Sequence, residues 1–342
     1  MGSVKDLIIT RKPTKDRGGI GRFVFSDRYS VFDWGEMPDH IPHKGEALTL
    51  LTAHFFEILE RDGIKTHYRG VVMDGKPVRL PELARPERTL EVKLVRVIRP
   101  AVRKDRSYDY APFLQEHGNL LIPLEIIYRN YLPEGSSFVK RVQSGTILLK
   151  DYGLDKIPHP DAPLARPIFD FSTKLEPTDR YLSPKEALQI SGLTEEAFQR
   201  CLDILQRVNG LISRELAKAD LVNVDGKIEL GMDEKGEILV VDALGTPDEC
   251  RFYSQGFHVS KEVARMFYRN TDWYREVEEA KREDREHWKD RVRTSPPPLP
   301  AGLKTLLSHM YGALANRILG KAWFPEAPEL PDVVRRLKET AF

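Results

Sequence analysis

The residues best suited to chemistry in this chain crowd into one short stretch. Across residues 221–242, Asp225, Lys227 and Glu229 alternate with Val224, Ile228 and Leu230, so charged side chains share one face of a strand and apolar ones the other. Asp233-Glu234-Lys235-Gly236 reads as the turn that folds the chain back. That turn sets Asp242 roughly opposite Glu229, with Cβ atoms about 5 Å apart. Two facing carboxylates repel unless a proton or a cation lies between them. Hard oxygen donors at that spacing suit Mg²⁺, which takes one or two carboxylates together with substrate phosphates. The same spacing fits the solvated face of an edge hairpin, and spacing alone does not choose. A second constellation runs Arg129-Asn130-Tyr131-Leu132-Pro133-Glu134-Gly135-Ser136-Ser137, then Lys140 and Arg141. An arginine at a strand end, a glycine turn with hydroxyls and two further cations suit a phosphate; they also describe a basic surface loop. His43-Lys44-Gly45 offers a cation and backbone amides to an anion, or simply begins a helix.

Several elements must position these groups. The first thirty residues read as a strand–loop–strand hairpin with Gly18-Gly19 in the connection. Ala47, Leu48, Leu51, Phe55, Ile58 and Leu59 recur at helical spacing, with Gly63 as the stop. Strands are expected at Leu90–Ile98 and Leu120–Tyr128, separated by a basic, irregular stretch from Arg99 to Gly118. A long helix is expected from its N-cap Thr194 to about Ala219. Trp273 to Arg293 is charged enough to read as a solvated helix, and Ser295-Pro296-Pro297-Pro298-Leu299-Pro300 as a stiff connector. Beyond it, Ala301–Leu319 places Leu303, Leu306, Leu307, Met310, Leu314 and Ile318 on one apolar stripe. Water would not leave that stripe exposed, so the segment should dock, on its own body or on a second subunit, in a structural role.

Composition narrows the function classes. Among 342 residues the net charge is +1, so no global field points to nucleic acid or to a membrane surface, and a local small-molecule site is the better expectation. The only cysteines, Cys201 and Cys250, form no paired motif, which favours a reducing, cytoplasmic setting. No apolar run reaches the length of a membrane span, and the N-terminus lacks the apolar core of a signal peptide.

Seven segments, in order, resemble one family. Ser26-Asp27-Arg28-Tyr29-Ser30-Val31-Phe32-Asp33 is similar to its SDRxSAFD segment, and Ile41-Pro42-His43-Lys44-Gly45 to IPxKG. Pro123-Leu124-Glu125-Ile126-Ile127-Tyr128-Arg129-Asn130, with Gly135-Ser136 and Lys140-Arg141 after it, resembles PLEVVVRN and the GS…KR that follows. Ser172-Thr173-Lys174 with Asp179 matches STK…D; Asp225-Gly226-Lys227-Ile228-Glu229-Leu230-Gly231 resembles DFKLEFG; Asp242-Ala243-Leu244-Gly245-Thr246-Pro247-Asp248-Glu249-Cys250-Arg251 resembles DEVLTPDSSR; Ser260-Lys261 with Arg265 echoes DK…R. The chain thus resembles the SAICAR synthase (phosphoribosylaminoimidazole-succinocarboxamide synthase) family from residue 2 to about residue 280.

The resemblance implies an α+β, two-lobed fold related to ATP-grasp enzymes, with antiparallel sheets and flanking helices. It implies a nucleotide-binding lobe over residues 1–98, a larger catalytic lobe over 99–272 and a helical extension over 273–342. The implied reaction is ligation, in purine biosynthesis, of L-aspartate to the carboxylate of a phosphorylated aminoimidazole nucleotide, with ATP split to ADP and phosphate through an acyl phosphate. Glu229 and Asp242 would hold Mg²⁺ on the ATP phosphates, with Lys5 as a further phosphate contact. Lys174 and Lys227 would lie along the nucleotide and the transferring phosphoryl group, with Asp179 beside them as a catalytic group. Arg129, Ser136 and Arg251 would grip the imidazole nucleotide, and Asp33, Lys44 and Lys261 would complete the substrate contacts. Partners are then small molecules, with self-association of the chain left open. Two positions depart from the pattern: Ser3 replaces a lysine, and Ala243 replaces the acid after Asp242. The insertion at Arg99–Gly118 falls near where the family holds adenine. These departures keep two other readings open, a ligase or kinase acting on a different acid and a nucleotide-binding protein without turnover.

Overall fold

The computed structural model describes residues 4–116, 118–284 and 287–340. Ser3 lies outside them.

The N-terminal hairpin forms from β1 (Lys5–Arg11) and β2 (Gly19–Phe25) and leads into helix α1 (Lys44–Arg61). Asp27 starts that helix from outside, its carboxylate accepting from Gly45 N at 3.0 Å. A Cβ at Gly45 would stand 2.7 Å from the Phe25 carbonyl oxygen, so only glycine lets the helix approach the strand this closely. Leu48, Leu51, Phe55, Phe56 and Leu59 are buried along α1. Strands β3 (Tyr68–Met73), β4 (Lys76–Val78) and β5 (Thr89–Leu94) complete a five-stranded antiparallel sheet in the order β1-β2-β5-β3-β4. The strand expected over Leu90–Ile98 therefore ends at Leu94: Arg96 crosses instead to Asn119 and Leu121, which lead into the second sheet.

The stretch after it holds a small hairpin, β6 (Ala101–Val102) with β7 (Tyr108–Asp109), and a single turn of helix, α2 (Ala111–Gln115). Then comes β8 (Leu120–Arg129), apolar and buried through most of its length as a central strand must be. Helix α3 (Ser137–Gln143), β9 (Ile168–Thr173), β10 (Tyr181–Leu182), α4 (Pro184–Ser191) and α5 (Glu195–Lys218) follow. Thr194 caps α5, its hydroxyl accepting from Ala197 N at 3.2 Å. Strands β11 (Val222–Met232), β12 (Ile238–Val241), β13 (Cys250–Ser254) and β14 (Phe257–His258) finish a seven-stranded antiparallel sheet. Its order is β10-β9-β8-β11-β13-β14, with β12 also on β11.

Helices α6 (Glu262–Arg269), α7 (Asp272–Glu283), α8 (Ala301–Leu319) and α9 (Leu330–Glu339) close the chain. Helix α8 docks on α1 and α5 within the chain, burying Leu303, Leu307, Met310 and Leu314 in the same core that holds Phe25 and Leu48. Truncating any one of these to alanine would cost about 2–5 kcal/mol. The charged segment before it is less solvated than its composition implies. Trp273, Val277 and Ala280 form a buried stripe on α7, and Trp34 packs between Trp273 and Trp288 with ring centroids at 5.4 and 6.0 Å. No helix among the described residues is long and apolar enough to cross a membrane.

Candidate active site

The site forms where the outer edge of β11 changes partner. Residues from Val222 to Gly226 pair with β13 and Glu229 to Met232 with β12, leaving Lys227 and Ile228 between the two ladders. The chain from Asp242 to Glu249 leaves the sheet at that gap, with Lys227 N donating to the Glu249 carbonyl at 3.3 Å. On its other edge β11 sets Asp225 opposite Arg129 and Glu229 opposite Glu125, and β8 in turn sets Ile127 opposite Asp170 on β9. Residues paired across strands share a face. One face of the sheet therefore carries Glu125, Arg129, Asp170, Asp225, Lys227 and Glu229, while Ile126, Tyr128 and Ile228 point into the core. Gly226 is required here: a Cβ would meet the Tyr128 hydroxyl at 2.4 Å and Cys250 Sγ at 2.6 Å.

One end of this face is a lattice of lysines and carboxylates. Lys227 Nζ lies 2.7 Å from Glu125, 3.2 Å from Glu229 and 3.1 Å from Glu249. Lys174 reaches Glu229 at 2.6 Å and Glu125 at 3.1 Å, and Lys5 crosses from the first sheet to Asp242 at 2.6 Å. Burial pulls the Lys227 ammonium down, yet Glu249, Glu125 and Glu229 together hold it well above the ordinary lysine value. Burial and the charge of Asp242 push Glu229 up, to about 7, against Lys227 and Lys174. Asp242 goes the other way: burial raises it, but Lys5, Lys174 and Lys227 hold it well below the carboxylate range. The hairpin register differs by one residue from the simple fold-back, because Val241 and not Asp242 pairs with Glu229. Asp242 has φ +68, which takes it out of the strand and turns its carboxylate to Lys5. The two acids offer hard oxygen donors to one buried region, the kind Mg²⁺ accepts. Among the described residues no group of three or more His, Cys, Asp or Glu side chains forms a metal cage. A cation held by this pair would take its other ligands from phosphate oxygens and water. Ala243 is buried in the core and adds no charge.

The other end is built on arginine. Arg129 Nη2 donates to Asp170 at 3.0 Å and to Ser137 Oγ at 3.1 Å, and its Nη1 lies 3.5 Å from Asp225. Arg251 Nε donates to Asp225 at 2.9 Å, and Arg141 pairs with Asp170. A cavity of about 460 Å³ opens over the arginine end and reaches Glu125, Lys227 and Glu249 of the lysine end, with Ser137, Asp179 and Lys261 also in its wall; Lys5, Lys174, Glu229 and Asp242 do not line it.

The remaining expected residues fall into three groups. Asp179 and Lys261 are on the cavity wall. Burial, Glu125 and Asp33 raise Asp179 to about 6. Lys261 makes no ion pair among the described residues, and burial lowers its pKa against the opposing charge of Asp248. Asp33 lies at the rim, paired with Lys281 at 3.0 Å. Lys44 and Ser136 stand behind the wall: Lys44 is fully buried 2.7 Å from Asp248, and the Ser136 hydroxyl accepts from Phe138 N to start α3. The residues that sequence reasoning missed are mostly the partners. Glu125 and Glu249 share Lys227, and Ser137, next to the expected Ser136, holds both Arg129 and the Tyr181 hydroxyl, the latter at 2.7 Å. Glu125 was open to discovery as a lone carboxylate in an otherwise apolar strand; for Glu249 no local signal exists.

Known proteins resemble this chain in sequence and in fold. A family model for SAICAR synthetase matches residues 2–286. A relative from Archaeoglobus fulgidus is 50% identical over 339 residues, 99% of each chain. The phosphoribosylaminoimidazole-succinocarboxamide synthase of Thermoplasma acidophilum is 31% identical over 331 residues, covering 94% of this chain and 98% of its own. Among solved structures, SAICAR synthase from Saccharomyces cerevisiae complexed with SAICAR has a TM-score of 0.63 at 24% identity over 95% of both chains. A SAICAR synthetase in complex with ADP has a TM-score of 0.60 at 22% identity over 96% of this chain and 98% of that one. Likeness at that identity speaks for the shared fold.

Proposed function

The chain belongs to the SAICAR synthetase family, and we propose that its charged sheet face first phosphorylates the carboxylate of an aminoimidazole ribonucleotide and then couples it to L-aspartate. The overall activity is ATP-dependent formation of SAICAR in purine biosynthesis, and the enzyme is a ligase. The observation that carries the two-step reading is contiguity: the arginine wall and the Glu125, Lys227 and Glu249 edge of the lysine–carboxylate lattice open on one cavity.

A carboxylate is a poor electrophile. In the first step one of its oxygens attacks the γ-phosphorus of ATP, the bond to the β-phosphate oxygen breaks, and ADP leaves. In the second step the aspartate amine attacks the acyl carbon, the bond to the phosphate oxygen breaks, and phosphate leaves while the amine loses a proton. Phosphoryl transfer asks the protein for position and charge neutralisation more than for covalent help. Lys174 and Lys227 would neutralise charge at the transferring group, and Lys5 at the ATP phosphates. Glu229 and Asp242 would hold Mg²⁺, which supplies charge neutralisation and Lewis acidity at the phosphates when bound. Arg129 and Arg251, held by Asp170 and Asp225, would bind the nucleotide's phosphate, with Lys261 as a further cation. Asp179, raised by burial and by Glu125 and Asp33, is suited to take the amine proton. The lobes 1–98 and 99–272 would be the bodies that enclose the nucleotide, an arrangement of the ATP-grasp kind, and the cytoplasm is the fitting compartment.

ADP release, measured with the imidazole nucleotide and aspartate each omitted in turn, tests the reading. Amide product and sustained ADP release require both substrates together with Mg²⁺ and ATP. Release that continues at full rate without the imidazole nucleotide would overturn it.

A further inference from the structure

The family match ends at residue 286, yet a residue well beyond it reaches the cavity wall. Asp248 lines that wall, and its two carboxylate oxygens face different partners. Oδ2 lies 2.7 Å from the ammonium of Lys44, at ion-pair distance. Oδ1 accepts a hydrogen bond of 2.6 Å from the hydroxyl of Tyr311, which arrives on α8 and is itself buried. Lys261, on the same wall, feels the charge of Asp248 but makes no ion pair among the described residues. Helix α8 also fastens the segment that leads into Lys44 at the start of α1. Lys304 pairs with Asp39 at 3.1 Å, and Ser308 Oγ donates to the Pro42 carbonyl at 2.8 Å. The Tyr311 ring lies 5.6 Å from the Lys44 ammonium.

We propose that Tyr311 is a positioning residue for the ligase reaction, which holds Asp248 onto Lys44 and so keeps the Lys261 ammonium free for an anionic group of a substrate. A carboxylate between two lysines chooses by how its oxygens are occupied. With Oδ1 held by the phenol and Oδ2 turned to Lys44, the carboxylate is fixed in an orientation that leaves it out of ion-pair distance of Lys261. Remove the phenol hydroxyl and Oδ1 becomes a buried acceptor without a donor, a state relieved by turning to Lys261. The cation is then quenched, and the substrate must break an internal ion pair before it binds. The extension beyond the family match thus acts on substrate affinity as well as on the core. The anion is the phosphate of the imidazole nucleotide or a carboxylate of aspartate, and kinetics with each substrate varied tells them apart.

This proposal rests on Lys261 being a substrate cation, and the test separates the two. Tyr311→Phe keeps the ring and its packing and loses only the hydroxyl. It should raise KM for one anionic substrate about tenfold, the scale of one hydrogen bond to a charged group, with kcat within about twofold and KM for ATP unchanged. Lys261→Met should raise the same KM, and the double variant should add little to it, because both changes remove one interaction. Leu303→Ala, elsewhere on α8, should lower the melting temperature without moving KM. If Lys261→Met moves no KM, the reading of Lys261 falls and the proposal with it. If Lys261→Met raises KM while Tyr311→Phe does not, or the two effects add in full, the positioning role alone is overturned. A KM change that Leu303→Ala reproduces would make Tyr311 merely structural and also overturn it.

Discussion

The two ends of the charged sheet face hold their ions in opposite ways. At the lysine end, Lys5, Lys174 and Lys227 face Glu125, Glu229, Asp242 and Glu249, three cations against four acids, so the cluster carries one negative charge in excess when Glu229 is ionised. At the arginine end, Arg129, Arg141 and Arg251 face Asp170 and Asp225, which leaves one positive charge over. The side chains differ too. A lysine ammonium is a point charge on a flexible stem that can exchange one carboxylate for another, whereas a guanidinium locked in a fork recognises one geometry. The difference fits two jobs. The acid-rich end has capacity for an added cation and can rearrange around a group that moves; the base-rich end is rigid and fits a phosphate that stays in place.

The largest effect expected from this contrast lies at the lysine end. Lys227→Ala takes the lysine from Glu249, leaves Glu125 and Glu229 to Lys174 alone, and removes charge neutralisation from the transferring group. Turnover should fall by roughly 10²–10³, the scale of losing one preorganised electrostatic contact, with KM for the imidazole nucleotide changing far less. Steady-state kinetics on the purified variant checks this; a mainly KM effect would dissolve the distinction between the ends. Next comes Asp242→Asn, which keeps the shape of the residue and removes its charge. The Mg²⁺ concentration giving half-maximal activity should rise at least roughly tenfold, while circular dichroism stays unchanged. An unmoved Mg²⁺ titration would take the metal away from this pair. At the arginine end, Arg129→Lys retains the charge and loses the fork between Asp170 and Asp225. KM for the imidazole nucleotide should rise about tenfold and KM for ATP hardly at all. Equal changes in both would show that this end does not discriminate between the substrates.

How far these ends could be read without a structure follows from how local each signal is. The face of β11 was legible because Asp225, Lys227 and Glu229 alternate with apolar residues, and period-two patterning belongs to the strand itself. The helices α5 and α8 were legible for the same reason at helical period. The hairpin register missed by one because the turn closes between Asp233 and Glu237, which pairs Met232 with Ile238 and so Glu229 with Val241. Ser136 and Ser137 are adjacent hydroxyls, and only the start of α3 decides which of them caps the helix and which meets Arg129. Glu125, Glu249 and Tyr311 depend on contacts between segments far apart in sequence. The charged composition around α7 hid a stripe of three apolar residues that the helix buries.

The smallest effect should come from the rim, where the same kinds of ion meet water. Lys281 pairs with Asp33 at 3.0 Å and donates to the Phe32 carbonyl at 2.8 Å, so on paper its contacts rival those of Lys227. The surroundings separate them: the Asp33 side chain is 68% exposed, while Glu125 and Glu229, which Lys227 joins, are 9% and 5% exposed. Exposed pairs are screened and give up side-chain entropy, which leaves them about 0–1 kcal/mol. Phe32 and Asp33 both hold φ near +60 (56 and 61), a conformation disfavoured for residues with side chains, and the Lys281 hydrogen bond helps to keep them there. Phe32 is also held by Tyr274, at a ring-centroid distance of 4.4 Å, so the loop does not depend on Lys281 alone. Lys281→Ala should therefore change KM for each substrate by less than about threefold, an energy below ~0.7 kcal/mol, and lower the melting temperature only slightly. Kinetics and calorimetry on this variant, run beside Lys227→Ala, make the comparison direct. A loss of turnover matching that of Lys227→Ala would mean that the rim takes part in the chemistry and that burial is not what distinguishes the working ions from the rest.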